Sequence, residues 1–360
     1  MVESVQPGSD DRAQRRAGER LHRRRLWRNR LIALALAAAT LLAITLVSRN
    51  PPPPPTVVSA VGSGRGHLAA GSSTALPGNI LVADRANNRL IVVSPRGQLA
   101  WSMQVYQPTA AFVSPDGASI VVTQRSLFTV LDYDVANGYL AYYYGRAGRP
   151  GAADNRLRAP ESAQQLRDGR LVVADESNCR VLVLAPPAKR PAEVYGRPGS
   201  CSHNPPTTFS DPDSAFAAPG GGLVVTELRP AWIDLLGQAG NLITALRVPG
   251  FRAPIDATEF APGRIVVTNH SAPGAVEALT TAGRVLWRYA PTSGAGELRF
   301  PSLAQMLPDG DVLVSDSGDD RIVVIDPQTE TIVWQYGHSG RPGRRAGYLY
   351  SPDSAVLVRP

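Results

Sequence analysis

The sequence predicts an all-β chain: a six-bladed β-propeller closed by its C-terminal strand and preceded by one transmembrane helix. Three observations carry this reading. Gly (33) and Pro (32) are frequent and scattered rather than blocked, which suits short strands joined by turns. A β-branched run ending in a polar residue recurs as NILVAD (79–84), SIVVTQ (119–124), RLVVAD (170–175), GLVVTE (222–227), RIVVTN (264–269) and DVLVSD (311–316). A second phrase, P-x-x-A, recurs at 108–111, 160–163, 212–215, 254–257, 301–304 and 352–355.

The N-terminal elements read in order. Residues 1–30 form a basic tail: residues 1–50 hold ten Arg against Glu3, Asp10, Asp11 and Glu19. Residues 1–50 therefore carry six of the seven net positive charges, and residues 51–360 carry 27 basic against 26 acidic side chains. No basic stripe with interleaved aromatics is left to bind phosphates, so no nucleic-acid partner is expected.

Residues 31–48 (LIALALAAATLLAITLVS) are uncharged and mostly apolar, just long enough for a helix to cross a hydrocarbon layer of about 30 Å. Arginines before the segment and only Arg49 shortly after it place the N-terminus in the cytoplasm and the remainder outside, as a single-pass cell-membrane protein. A cleaved signal peptide is the competing reading, with Ala37, Ala38 and Ala39 as small residues, but its basic region is unusually long. Residues 49–75 form a linker in which PPPPP (51–55) favours an extended rod and GSGRGHLAAGSS favours flexibility.

Residues 76–360 form the propeller. Five times the polar residue ending the β-branched run lies 15 or 16 positions after the proline of P-x-x-A. The two phrases are nevertheless out of phase: the first NILVAD has no P-x-x-A before it, and the P-x-x-A at 352 has no run after it. Repeats of roughly 40–50 residues, each of several short strands, mark a propeller. With strands A to D counted outward from the axis, strand 352–358 supplies A to the blade whose B strand begins at Ile80. A linear stack would leave an unpaired edge instead.

Each blade reads alike; blade 6 runs PSLAQML, DVLVSD, DDRIVVID, TIVWQYG. The alanine of strand A suits the crowded axis, and the D-strand aromatics Trp101, Tyr143, Tyr195, Trp287 and Trp334 are expected to fill the outer wedge between blades. NILVADRANNRLIVVSPRGQLAW and DVLVSDSGDDRIVVIDPQTETIVWQYG resemble NHL-type repeats, and also the short repeats of bacterial pyrroloquinoline-quinone-like propellers. That resemblance implies a six-bladed propeller, a fold used mostly for binding and sometimes for catalysis.

Asp84, Asp175 and Asp316 end strand B, and Arg89, Arg180 and Arg321 follow five residues later. A ring of ligands is one reading; the preferred one has each acid closing its own B–C turn through backbone amides, braced by the arginine. Residues that break the repeat are better functional candidates: Glu161, Asp213 and Asp353 at the entry to strand A, and His270 where blade 1 has Arg85. These should surround one mouth of the central channel and could take a cation or polar ligand; a solvated rim is the alternative.

The five histidines show no zinc-binding spacing, and no G-x-S-x-G elbow, phosphate loop or dinucleotide fingerprint occurs. Binding is thus expected rather than catalysis, of a protein, peptide or envelope glycan, with no cofactor. A calcium-dependent hydrolase of the lactonase type is the alternative. Cys179 and Cys201 are expected on exposed segments of one face and to form a disulfide outside the cytoplasm, two unpaired thiols being the alternative.

Overall fold

The computed structural model describes residues 76–358; the basic tail, the apolar segment 31–48 and the linker 49–75 lie outside the described residues. None of the described helices is long and apolar enough to cross a membrane.

The chain first lays down β1 (Asn79–Asp84), β2 (Arg89–Val93) and β3 (Leu99–Gln104). Blade 2 follows as β4 (Ala110–Val113), β5 (Ser119–Gln124), β6 (Thr129–Asp134) and β7 (Leu140–Gly145). Blade 3 is β8 (Pro160–Gln165), β9 (Leu171–Asp175), β10 (Arg180–Leu184) and β11 (Pro191–Gly196). Blade 4 is β12 (Pro212–Ala217), β13 (Leu223–Glu227), β14 (Trp232–Leu236) and β15 (Leu242–Leu246). Blade 5 is β16 (Pro254–Ala261), β17 (Arg264–Asn269), β18 (Ala275–Thr280) and β19 (Val285–Tyr289). Blade 6 is β20 (Pro301–Met306), β21 (Val312–Asp316), β22 (Arg321–Asp326) and β23 (Thr331–Gly337), and β24 (Pro352–Val358) completes blade 1.

Each blade is one antiparallel four-stranded sheet, and blade 1 has the order β24-β1-β2-β3. Strand β24 pairs with β1 from Asn79↔Val358 to Asp84↔Pro352, so the two ends of the described chain close the ring as the phase of the repeats predicts.

Apolar side chains fill the spaces between blades. One buried cluster joins blades 2 and 3 through Val121, Tyr144, Ala163 and Leu182; another joins blades 6 and 1 through Ile80, Ile91, Leu313 and Trp334. The strand-A alanines Ala111, Ala163, Ala215, Ala257, Ala304 and Ala355 are all buried. The aromatics of the D strands divide: Trp334 is buried, but Tyr143 is 46% exposed, so it does not fill the wedge. The neighbouring Tyr142 and Tyr144 point inward, as the period-two alternation of a strand requires, and the Lys189 ammonium lies 3.7 Å from the Tyr143 ring centroid.

Inner strands have one edge without a partner strand, and their backbone groups need other partners. Side chains of the adjacent blade supply them. The Ala111 N–H donates to Ser354 Oγ at 3.0 Å, Ala215 N–H to Ser162 Oγ at 3.1 Å, Ala257 N–H to Thr226 Oγ1 at 3.0 Å and Leu357 N–H to Gln305 Oε1 at 2.8 Å. At the junction of blades 5 and 6 the Thr268 hydroxyl donates to the Ser302 carbonyl at 2.8 Å. Polar residues of strands A and B are thus blade-to-blade stitches.

The acid ending strand B is completely buried in blades 1, 3 and 6 and accepts the Nε–H of its arginine at 2.7 Å: Asp84 from Arg89, Asp175 from Arg180, Asp316 from Arg321. Its backbone partner corrects the expectation of an amide in its own B–C turn. The other carboxylate oxygen accepts an N–H two residues before strand A of the same blade, from Tyr350, Arg158 and Arg299 respectively. The arginine fork holds carbonyls of that same connection, Arg344 and Tyr348 for Arg89, Ala152 and Arg156 for Arg180. Each acid–arginine pair therefore clasps the loop entering strand A to the loop leaving strand B.

Cys179 and Cys201 form a disulfide with Cα atoms 5.3 Å apart. Cys179 is buried, not exposed as its turn position suggested. It is left-handed (φ 56), ends the short turn after β9, and packs its carbonyl against Gly196, where an added Cβ would come within 2.5 Å of that oxygen.

Candidate functional site

The loops leaving strand B and entering strand A share one face, and two sets of side chains encircle the channel there. The residue after strand B is Arg85, Arg125, Glu176, Leu228, His270 and Ser317 in blades 1 to 6. The residue after the proline of P-x-x-A is Asp353 in blade 1, Thr109 in blade 2, Glu161 in blade 3 and Asp213 in blade 4.

These side chains interact within blade 1 and across blade boundaries. Arg85 Nε lies 2.6 Å from Asp353 Oδ2, and its Nη2–H donates to Ser351 Oγ at 2.8 Å. Ser317 of blade 6 donates to Asp353 Oδ1 at 3.0 Å. Arg125 of blade 2 pairs with two acids of blade 3, Glu161 through Nε and Glu176 through Nη2, the latter at 2.6 Å.

Asp256 is a member that the repeat concealed. In P-I-D-A the acid falls one place later than in PDSA, but β16 is bulged between Ile255 and Thr258, and Asp256 adopts a left-handed backbone (φ 51). An Asp tolerates that conformation, and the extra residue turns its carboxylate toward Asp213 and Asp353, whose charges act on it. An acid in a strand A of altered register was the available signal. Glu176 was missed as well: it stands in the position of Arg85 and reverses its charge.

The electrostatics follow from crowding. Removal from bulk water raises the Glu161 carboxyl well above its usual range; Asp213 adds to this and Arg125 opposes it. Asp213 is pushed up to about 8, first by desolvation and then by Glu176 and Asp211, with Arg125 opposing. Asp256 is raised well above the ordinary carboxylate range by desolvation, Asp213 and Asp353. Asp353 reaches about 6, desolvation being offset by Arg85. Asp213 and Asp256 have no ion pair within 4.0 Å among the described residues, so two carboxylates of this cluster lack a cation.

His270 lies at the same mouth with its Nδ1 3.3 Å from the Pro301 carbonyl oxygen and its ring 5.3 Å from that of Phe300. Burial, with the nearby Arg85 charge, depresses its pKa, so the ring is neutral at pH 7. The four side chains expected at the mouth, Glu161, Asp213, Asp353 and His270, thus share one electrostatic neighbourhood. The mouth acids do not cage one ion closely: among the described residues, the trio of His, Cys, Asp or Glu whose ligand atoms all lie within 4.8 Å of one another is His203, Glu227 and Asp234, away from this cluster.

No family model matches the chain, and no curated protein matches it. Solved structures share its fold. A virginiamycin B lyase from Staphylococcus aureus aligns at 14% identity and TM-score 0.50, over 72% of this chain and 84% of that one. A streptogramin B lyase aligns at 16% identity and TM-score 0.52, over 72% and 79%. Hydrazine synthase from Kuenenia stuttgartiensis aligns at 17% identity and TM-score 0.51, over 73% and 81%. Proteins named for unrelated reactions share this architecture, so the likeness speaks to the fold alone.

Proposed function

We propose that this propeller is a binding module that receives a cationic group of a protein or peptide ligand at the channel mouth. The observation that carries the reading is the charge imbalance: among the described residues, the cations that ion-pair with the group Glu161, Glu176, Asp213, Asp256 and Asp353 are Arg85 and Arg125. A lysine or arginine side chain entering the mouth would pair with Asp213 and Asp256 and displace the protons their raised pKa values retain. Low local dielectric strengthens such a pair relative to one in water. Nothing at the mouth forms a nucleophile–base pair of the Ser–His or Cys–His kind among the described residues, which favours binding over covalent catalysis.

The apolar segment 31–48 and the proline rod 51–55 support a membrane-anchored, extracytoplasmic placement, with the propeller held off the bilayer surface.

The test is titration of the purified full-length chain with tri-lysine and tri-glutamate peptides at low salt. Tri-lysine should bind, weaken with added salt, and bind at least about tenfold more weakly to Asp213→Asn, since a buried charge pair is worth more than a surface one. Equal affinity for the two peptides, or no loss in the variant, would overturn the reading.

One observation favours a calcium-dependent hydrolase instead: Glu161, Asp213, Asp256 and Asp353 come from the inner strands of four blades, as an oxygen-ligand set would. Stoichiometric calcium in the purified chain, lost in Asp213→Asn, would decide for it.

A further inference from the structure

Blade 4 departs from the acid–arginine clasp in a way the mouth does not explain. Its strand B ends in Glu227, and the cross-strand partner is Trp232, where blades 1, 3 and 6 place arginine. Among the described residues no Arg or Lys pairs with Glu227. His203 takes that place, from the connection between blades 3 and 4, with Nδ1 2.6 Å from Glu227 Oε1. The other oxygen, Oε2, accepts the backbone N–H and the hydroxyl of Ser210.

A second acid lies beside this pair. Asp234, two residues after Trp232, is completely buried; neither carboxylate oxygen has a hydrogen-bond partner, and Oδ2 lies 3.9 Å from His203 Nδ1. Unpartnered buried carboxylates are costly and call for a proton or a cation.

We propose that His203, Glu227 and Asp234 hold a divalent transition-metal ion, of which zinc fits best. One imidazole nitrogen and two carboxylate oxygens, all within 4.8 Å of one another, match the N/O donor set of zinc at about 2.0–2.2 Å. Calcium prefers six to eight oxygens, and soft ions prefer thiolates, of which this cluster has none. Zinc takes a fourth ligand, and His203, only partly buried, leaves the outer side of the cluster open to one.

The surroundings hold these ligands in place. Ser210 fixes Oε2 of Glu227, leaving Oε1, the oxygen beside His203, for the ion. The indole of Trp232 stacks on the His203 ring at 4.3 Å and 6°, and Arg247 covers that indole at 5.3 Å. The disulfide ties Cys201, two residues before His203, to blade 3.

This site stands independently of the cationic ligand proposed for the mouth. The full-length chain, stripped of metal with chelator, would be titrated with Zn2+ by calorimetry and with Co2+ by visible absorption. One equivalent should bind and raise the melting temperature; His203→Gln and Asp234→Asn should each weaken binding by at least about tenfold. Glutamine at 203 can still donate to Glu227, and the melting profile of His203→Gln separates loss of the ion from loss of the fold, even if Asp234→Asn destabilises blade 4. No saturable uptake of excess zinc by the wild type, or undiminished affinity in His203→Gln, would overturn the proposal.

Discussion

The Nε of Arg89 lies 2.7 Å from Oδ2 of Asp84, and both side chains are almost wholly withdrawn from solvent. The pair reaches from strand β2 to strand β1 and, through the remaining donors and acceptors, to the loop that enters β24. Removing Arg89 leaves Asp84 buried without its cation. Arg89→Met should therefore destabilise the chain by about 3–5 kcal/mol in denaturant titration. The double replacement Asp84→Leu/Arg89→Met should recover part of that loss, because no unpaired charge remains. A single variant as stable as wild type would show that the clasp contributes nothing.

Stability should fall as pH rises from 5 to 8. Asp213, raised to about 8, and Asp353, raised to about 6, stay protonated in the native state where the unfolded chain has ionised them near pH 4. The native state then binds more protons, so stability decreases with pH across that window. One such carboxyl contributes a slope of at most about 1.4 kcal/mol per pH unit, reduced by solvent screening. Asp213→Asn should flatten the melting-temperature profile between pH 5 and 8; a profile that rises over this range would contradict the assignment.

Truncation after Leu349 removes β24 and bares the inner edge of β1. The expected outcome is aggregation or loss of cooperative unfolding. An unchanged melt would mean that another segment supplies the fourth strand of blade 1.

The Cys179–Cys201 bridge spans 22 positions, and in the chain-entropy model closing a loop of that size stabilises by about 3 kcal/mol. Cys201→Ser should lower stability by about that amount and speed hydrogen exchange in residues 197–207. Non-reduced mass spectrometry should find no free thiol to alkylate in the wild type.

A reporter fused after Pro360 should be active only outside the cytoplasm, given the arginines that precede residue 31. Cytoplasmic activity would reverse the proposed topology.

The blades and their closure were legible because both phrases recur at fixed spacing, so that a missing partner at each end was itself a signal. Glu161, Asp213 and Asp353 were legible as departures from the same repeat. Asp256 was not, since a bulge shifts it by one residue and sequence phase cannot register a change of backbone angle. Nor was the partnership of His203 with Glu227, separated by a turn of irregular length. A tryptophan at 232, where three other blades carry arginine, was the visible trace: it leaves Glu227 needing a partner from elsewhere. The burial of Cys179 escaped because its place in the repeat conveys the turn but not what packs over it.

Pairing of β1 with β24 also orders events in time. Asn79 meets Val358, so the blade begun first is finished last, after every other blade has been synthesised. Until then β1 lacks, among the described residues, its partner on that edge, and folding carries the delay expected of a contact between such distant positions. A chain emerging vectorially would hold five complete blades and one three-stranded blade, and only arrival of its final strand would convert that arc into a ring.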